Sequence, residues 1–128
     1  MKEQAPKPQF LPVISTKDSL IQSIQIFENN PQTVEANRDA VISEAKEYFN
    51  QLLDSSSSDI PKIFYNFLLR LSLINLIKAD DQPLLTFFTP AESITWPSQT
   101  ITFIMNESTQ AQGEYLDTFQ LFQDNFLQ

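Results

Sequence analysis

Apolar residues in the N-terminal part of the chain recur every three or four positions, the spacing of one face of an α-helix. A first helix is predicted to begin near Ser15. Ser15 and Asp18, three residues apart, together resemble a helix-capping arrangement. Its apolar face is formed by Leu20, Ile24 and Phe27. The pattern therefore predicts an amphipathic helix at the start of the folded region.

A second and a third helix follow. Asn30 and Pro31 are typical of a helix start and predict a second helix over about 31–53. Its apolar residues lie on one side: Val34, Val41, Ala45, Tyr48, Phe49 and Leu52. After a serine-rich loop, Asp59 is the predicted cap of a third helix over about 60–78. Apolar residues surround most of that helix, so it is predicted to lie at the centre of the core.

Two features of this region leave alternatives open. Residues 71–77 also fit a buried strand, since periodicity does not separate the two, and length favours the helix. The serine run 55–58 fits an ordinary loop better than a modification site, but the sequence does not decide between them.

The residue composition of the chain changes after residue 83. Short segments rich in β-branched and aromatic residues are separated by proline-containing turns, which predicts a three-stranded antiparallel meander at about 84–89, 93–96 and 100–105. The expected fold class is α+β. Three N-terminal helices and one C-terminal helix are expected to pack against one face of this small sheet.

The C-terminal segment 114–127 carries an aromatic stripe at helical spacing. A helix of this length is marginal alone in water, so the stripe must be covered. Tyr115, Phe119 and Phe122 are predicted to pack on the protein's own core. Phe126 and Leu127 lie in the last turn, so any partner contact of this helix is predicted to involve them.

The N-terminal residues 1–14 are predicted to form a flexible proline-rich tail, and residues 15–128 a single α+β domain. Proline at positions 6, 8 and 12 opposes helix formation and favours an extended chain. The tail therefore offers Phe10 and Leu11 as candidate partner-binding residues.

Composition excludes several function classes. The chain has no Cys, no His and one Gly, Gly113, where about nine glycines are expected at average usage. Phosphate-binding loops need glycine, and the commonest catalytic bases and metal ligands are missing. We therefore expect no catalytic residues, no cofactor, no metal and no enzymatic activity. A carboxylate-based enzyme or small-ligand carrier is a less favoured alternative. The polar, proline-broken start lacks the apolar run of a signal peptide, which predicts a cytoplasmic protein.

Charge is unevenly distributed along the chain. Residues 1–78 contain nine acidic and eight basic residues, whereas residues 79–128 contain seven acidic residues and no Lys or Arg, which together give the net charge of −8. Such a surface repels nucleic acid and anionic lipid, so neither nucleic acid nor membrane is an expected partner. It favours another protein with a Lys/Arg-containing segment.

Few residues stand out as site candidates. Asp80 and Asp81 form an adjacent acidic pair, and Asp124 adds a third candidate acidic contact. Trp96 is a candidate hot spot. Arg70 fits an internal ion pair or a solvent-facing residue better than an anchor for a ligand carboxylate, because a charge in an apolar helix must pair or reach solvent.

These observations predict a non-enzymatic protein-binding module of the adaptor or assembly-chaperone type that recognises a basic or flexible protein segment. Hydrophobic docking on a sheet–helix surface, steered by an acidic rim, is the expected mechanism. The alternative is an acidic inhibitor or immunity-type protein that blocks a basic enzyme. A homodimer is left open.

Overall fold

The computed structural model describes residues 9–88 and 94–127, and this part of the chain is helical without any β-strand. The predicted α+β class with a three-stranded meander is therefore wrong, and the fold is all-α. The helices are α1 (Lys17–Glu28), α2 (Pro31–Ala36), α3 (Arg38–Leu53), α4 (Ile60–Ile77), α5 (Ser98–Ser108) and α6 (Gly113–Phe126), with a short 3-10 helix at Leu84–Phe87.

Helix α4 is the central element of the core, as its sequence predicts. It packs against α1, α2, α3, α5 and α6, and thirteen of its 18 residues are buried. Helix α3 runs antiparallel to it, because Arg38 lies beside Ile77 and Glu44 beside Arg70. Residues 71–77, for which the sequence left helix and strand open, belong to the helix.

The predicted third strand, 100–105, lies within helix α5. Its buried residues are Thr100, Ile104 and Glu107, at the helical spacings of four and three. The alternation at Ile101, Phe103 and Met105 suggested a strand, but Ile101 and Met105 are exposed. β-Propensity reflects the fit of a side chain to a half-buried pleated surface, and without neighbouring strands it does not decide the backbone.

The other two predicted strands are also absent from the described residues. In the segment 84–89, residues 84–87 form the 3-10 helix, and residue 89 lies outside the described part of the chain. In the segment 93–96, residues 94–96 form no regular structure, and residue 93 lies outside that part. The aromatic residues of both segments fill the core instead. Phe88 and Trp96 both contact Phe49, with ring centroids 5.4 and 5.8 Å apart.

The expectation of three N-terminal helices also needs correction, since four are present. The predicted helix over 31–53 is interrupted at Asn37, whose φ of −118° and ψ of 29° are not helical. The Asn37 amide donates to the carbonyl of Thr33 at 2.9 Å. Asparagine competes for backbone hydrogen bonds in this way, and here the competition divides the helix.

Within the predicted tail, the described residues 9–14 lie against the helices. Leu11 and Ile14 are 1% and 6% exposed, and the Phe10 ring contacts Phe27 at 5.9 Å between centroids. Residues 1–8 lie outside the described part of the chain. The division at residue 14 into a tail and a domain stays a prediction.

The aromatic stripe of α6 packs on the protein's own core, which confirms the prediction for Tyr115, Phe119 and Phe122. Phe122 contacts Phe64 edge-on at 5.1 Å between ring centroids, and edge-to-face arrangements of this kind are favourable for aromatic rings. Phe126 is 3% exposed and closes the same cluster.

Among the described helices, only α4 is long and apolar enough to cross a bilayer. Most of it is buried among the other helices, as is also typical of the core helix of a globular protein.

Candidate functional site

A cleft of about 280 Å³ opens between α1, α4 and α6. Its apolar lining comes from Ile21 and Ile24 on α1 and from Leu121 on α6. Beneath it, the hydroxyl groups of Ser72 and Thr118 form a hydrogen bond that joins α4 to α6. The cleft therefore has an apolar wall and a floor whose polar groups are already paired.

Acidic side chains surround this cleft. Glu28, Glu114 and Asp117 line it and are all exposed to solvent. The Gln25 amide donates to Glu114 Oε1 at 2.6 Å, so α1 and α6 are bridged across the cleft. No Lys or Arg of the described residues lies within ion-pair distance of any of these three carboxylates. The cleft therefore presents uncompensated negative charge beside apolar surface.

Lys17, the one cation of α1, is already engaged. Lys17 Nζ lies 3.2 Å from Glu107 Oε1 and 4.9 Å from the centroid of the Tyr115 ring. The Tyr115 hydroxyl donates to the same Glu107 oxygen at 2.8 Å. These contacts join the end of α5 and the start of α6 to the start of α1. The charge of Lys17 is paired with Glu107 and does not compensate the carboxylates of the cleft.

Two tyrosines around Glu107 are held in their neutral form. Burial, and then the hydrogen bond to Glu107, raise the pKa of Tyr115 far above its ordinary value. Burial and the charge of Glu107 raise the pKa of Tyr65 to about 12. The Tyr115 hydroxyl is the donor to Glu107, and the raised pKa values extend the neutral form of both tyrosines to more alkaline pH.

The apolar candidates predicted from the sequence lie largely inside the protein. Leu11, Trp96 and Phe126 are buried, and the Trp96 indole donates to the carbonyl of Phe126 at 3.3 Å. Phe10 and Leu127 are half-buried and pack against the core. The structure thus places these five residues in contacts within the chain and does not gather them on one accessible surface.

The acidic candidates lie outside the cleft. Asp80 and Asp81 are exposed in the turn after α4, where they line a shallow depression with Asn125. The side chain of Lys78 donates to the carbonyls of Ala79 and Asp80. Asp124 is exposed on the last turn of α6. The cleft and this depression have one lining residue in common, Asn75.

Arg70 is fully buried and forms an ion pair with Glu44, with 3.3 Å between Nε and Oε1, so of the two positions that the sequence left open the internal ion pair is observed and the solvent-facing one is not. Its guanidinium lies 4.8 Å from the Tyr48 ring centroid. Burial lowers the pKa of Arg70 from its ordinary value, and Tyr48 and Glu44 act in the opposite direction. Arg70 is therefore not available to an external carboxylate.

The described residues contain no group of three or more acidic side chains close enough to hold a metal ion. The cleft carboxylates are exposed, the Ser72 and Thr118 hydroxyl groups beneath them are hydrogen-bonded to each other, and the chain has no histidine to activate either. The arrangement suits an organic cation. The charged group of such a cation fits among the carboxylates, and its aliphatic part fits on the apolar wall.

The sequence reading missed Glu28, Glu114 and Asp117 as site residues. Part of the signal was present, because Glu114, Asp117 and Leu121 are spaced by three and four and must share a helix face next to the aromatic stripe. The contribution of Glu28 depends on how α1 packs against α6, which no local pattern encodes.

Comparison with protein-family models, with curated proteins and with solved structures gave no match for this chain. The function is therefore argued from the site alone.

Proposed function

We propose that this chain is a non-enzymatic protein-binding module, of the adaptor or assembly-chaperone type, which binds a Lys/Arg-containing segment of another protein. The single observation that carries the proposal is the cleft between α1, α4 and α6, where three uncompensated carboxylates surround an apolar wall. Lys and Arg have long aliphatic stems and cationic heads, so one side chain fits both parts of this surface.

The affinity expected from such a cleft is modest. An exposed ion pair contributes roughly 0–1 kcal/mol, so Glu28, Glu114 and Asp117 give orientation and attraction more than tight binding. The acidic C-terminal part of the chain adds long-range steering of a basic segment. Hydrophobic docking on a sheet–helix surface, expected from the sequence, is withdrawn because the described residues form no sheet. We propose the same cytoplasmic location as the sequence predicts.

The test uses an array of unstructured octapeptides in which one or two Arg or Lys residues are flanked by aliphatic residues. Binding is measured by fluorescence anisotropy at about 0.05 and 0.5 M salt, where screening lengths are about 14 and 4 Å. We expect peptides of this class to bind the wild-type chain and to lose most of their affinity at high salt.

Three double variants locate the site, and each removes two negative charges. E28Q/D117N changes the cleft, D80N/D81N changes the acidic pair predicted from the sequence, and E35Q/D39N changes exposed residues of α2 and α3 that line neither region. We expect about a tenfold loss of affinity for E28Q/D117N and little change for the other two. An equal loss in all three variants would show attraction by net charge alone and would contradict the cleft.

The inhibitor alternative requires a folded basic enzyme as the partner. Binding of short unstructured peptides in the cleft favours the adaptor class, because an inhibitor recognises a surface that such peptides do not reproduce. Failure of the whole array to bind contradicts the proposal.

A further inference from the structure

Residues 9–14 are held against α3 and α4 by hydrogen bonds to their backbone and by the side chains of Gln9, Leu11 and Ile14. The carboxylate of Glu44 accepts hydrogen bonds from the backbone N–H groups of Phe10 and Leu11, the latter at 3.3 Å. The guanidinium of Arg70 donates to the carbonyls of Leu11 and Pro12 at 3.1 and 3.3 Å. Buried charged side chains therefore take the place of a neighbouring strand.

Asn66 completes this arrangement. Its side-chain oxygen accepts from the Ile14 N–H at 2.9 Å, and its amide donates to the Ile14 carbonyl at 2.8 Å. This double contact reproduces the pair of hydrogen bonds that two residues exchange in an antiparallel sheet. Asn66 is fully buried. Both of its hydrogen bonds to the segment go to backbone atoms of Ile14, so they do not depend on the side chain at that position.

Two side chains of the segment supply the apolar part of the contact. Leu11 is 1% and Ile14 6% exposed, whereas Val13 between them is 54% exposed. The segment therefore presents an aliphatic residue and a second one three positions later, in a stretch that bends at Phe10 and Leu11 and has no regular secondary structure. Backbone hydrogen bonds combined with pockets for selected side chains are the means by which proteins bind extended peptides.

Glu44, Asn66 and Arg70 each form at least one hydrogen bond with residues 9–14. Within the described part of the chain, every buried side-chain nitrogen and oxygen has a hydrogen-bond partner. Loss of residues 9–14 leaves Asn66 without its Ile14 partners and Arg70 without two carbonyls. The donors and acceptors uncovered in this way match the C=O and N–H groups of another peptide backbone, which can form the same hydrogen bonds.

From these contacts we infer that the groove formed by Glu44, Asn66 and Arg70 is a peptide-binding site, filled in cis by residues 9–14. It accepts in trans a segment of a partner protein that has no regular secondary structure and carries an aliphatic residue followed by another three positions later. This site is separate from the acidic cleft, and the inference does not depend on the function proposed above.

The test uses the full chain and a fluorescein-labelled peptide with the sequence of residues 9–16. In the wild-type chain the cis segment competes with the peptide at an effective concentration on the order of 1 mM. Leu11→Asp removes the buried anchor and places a negative charge beside Glu44, so the cis segment leaves the groove. We expect the peptide to bind this variant at least about tenfold more tightly than the wild-type chain.

Two controls define the site. Val13→Asp places the same charge at an exposed position of the same segment, and it should bind the peptide as weakly as the wild-type chain does. A peptide that itself carries Leu11→Asp should not bind the Leu11→Asp chain. Peptide binding to Val13→Asp as tight as to Leu11→Asp, or no binding to a folded Leu11→Asp chain at about 1 mM peptide, overturns the inference.

The outcome is also decided if Leu11→Asp unfolds. A peptide that binds only the folded state must then restore helicity and raise the melting temperature in a concentration-dependent manner. Circular dichroism with the labelled and the Leu11→Asp peptides measures this. Restoration by the first peptide alone supports the inference, and no restoration by either overturns it.

Discussion

The hydroxyl group of Tyr115 donates a hydrogen bond to the carboxylate of Glu107 across 2.8 Å, and both residues are buried. The same oxygen of Glu107 pairs with Lys17 at 3.2 Å. Three helices thus meet at one carboxylate, and a single proton on Tyr115 keeps the contact attractive.

The first prediction concerns alkaline pH. The pKa of Tyr115 is raised in the folded state, and that of Tyr65 is raised to about 12, so the folded chain holds these protons more tightly than the unfolded chain. The stability from this source is fully present below the unfolded pKa of about 10 and is lost as pH rises above it. Urea unfolding between pH 8 and 11.5 should show a falling free energy of unfolding above pH 10. Tyr115→Phe should lower the free energy of unfolding at pH 8 by about 1.5–3 kcal/mol and make its decline shallower, because only the Tyr65 proton then remains to be lost. An unchanged slope in this variant would refute the assignment.

The second prediction concerns the buried ion pair of Arg70. Glu44→Gln leaves the guanidinium without its charge partner in a fully buried position, so the free energy of unfolding should fall by about 3–5 kcal/mol. Glu47→Gln changes an exposed residue one turn away and should stay within about 0.5 kcal/mol of the wild-type chain. Chemical denaturation of both variants measures the difference. Similar values for the two would mean that the pair contributes little.

A third prediction tests the aromatic cluster of α6. Phe122 is fully buried against Phe64, and Phe122→Ala should lower the free energy of unfolding by about 3–5 kcal/mol through loss of burial and formation of a cavity. Phe126→Ala should have an effect of similar kind, because Phe126 is 3% exposed. Met105→Ala, at a residue 62% exposed, is the control and should change stability little. If the Phe126→Ala chain has wild-type stability, Phe126 does not stabilise the core and becomes a candidate partner contact again.

The fourth prediction concerns the single glycine. Gly113 has a φ of +60°, and an added Cβ meets nothing within 4 Å, so backbone strain is the only cost of a side chain there. Gly113→Ala should therefore lower the free energy of unfolding by roughly 1–2 kcal/mol. Gln112→Ala, at an exposed neighbour with a φ of −145°, serves as the control. Thermal unfolding of the two variants compares them, and equal melting temperatures would contradict the strain argument.

The sequence predicted the helices that have a clear apolar face. The positions of α1 and α6 follow from spacings of three and four, that of α4 from its length and nearly continuous apolar surface, and the burial of α6 from the cost of exposing four aromatic rings. It failed between residues 84 and 105, because aromatic and β-branched residues there fill the core beside Phe49 without forming a sheet. Local propensity carries no information on whether a second strand is present to pair with.

The candidate sites were harder to predict than the helices. The cleft needs Glu28 of α1 and Asp117 of α6 to lie on two helices that share one neighbour, which is a property of packing. The groove around Arg70 was visible only as a charge in an apolar helix, and the sequence did not show that the backbone of residues 9–14 is its partner.

The placement of residues 9–14 has a consequence for the order of events during synthesis. The contacts of Ile14 with Asn66 and of Leu11 with Arg70 join residues 52 and 59 positions apart, so they close long loops. Residues 9–14 are translated before any part of their binding surface, and α4 must be complete and paired with α3 before they can be bound. A nascent chain that has not yet reached residue 70 therefore carries Leu11 and Ile14 uncovered, and in this interval the two apolar side chains expose the chain to aggregation.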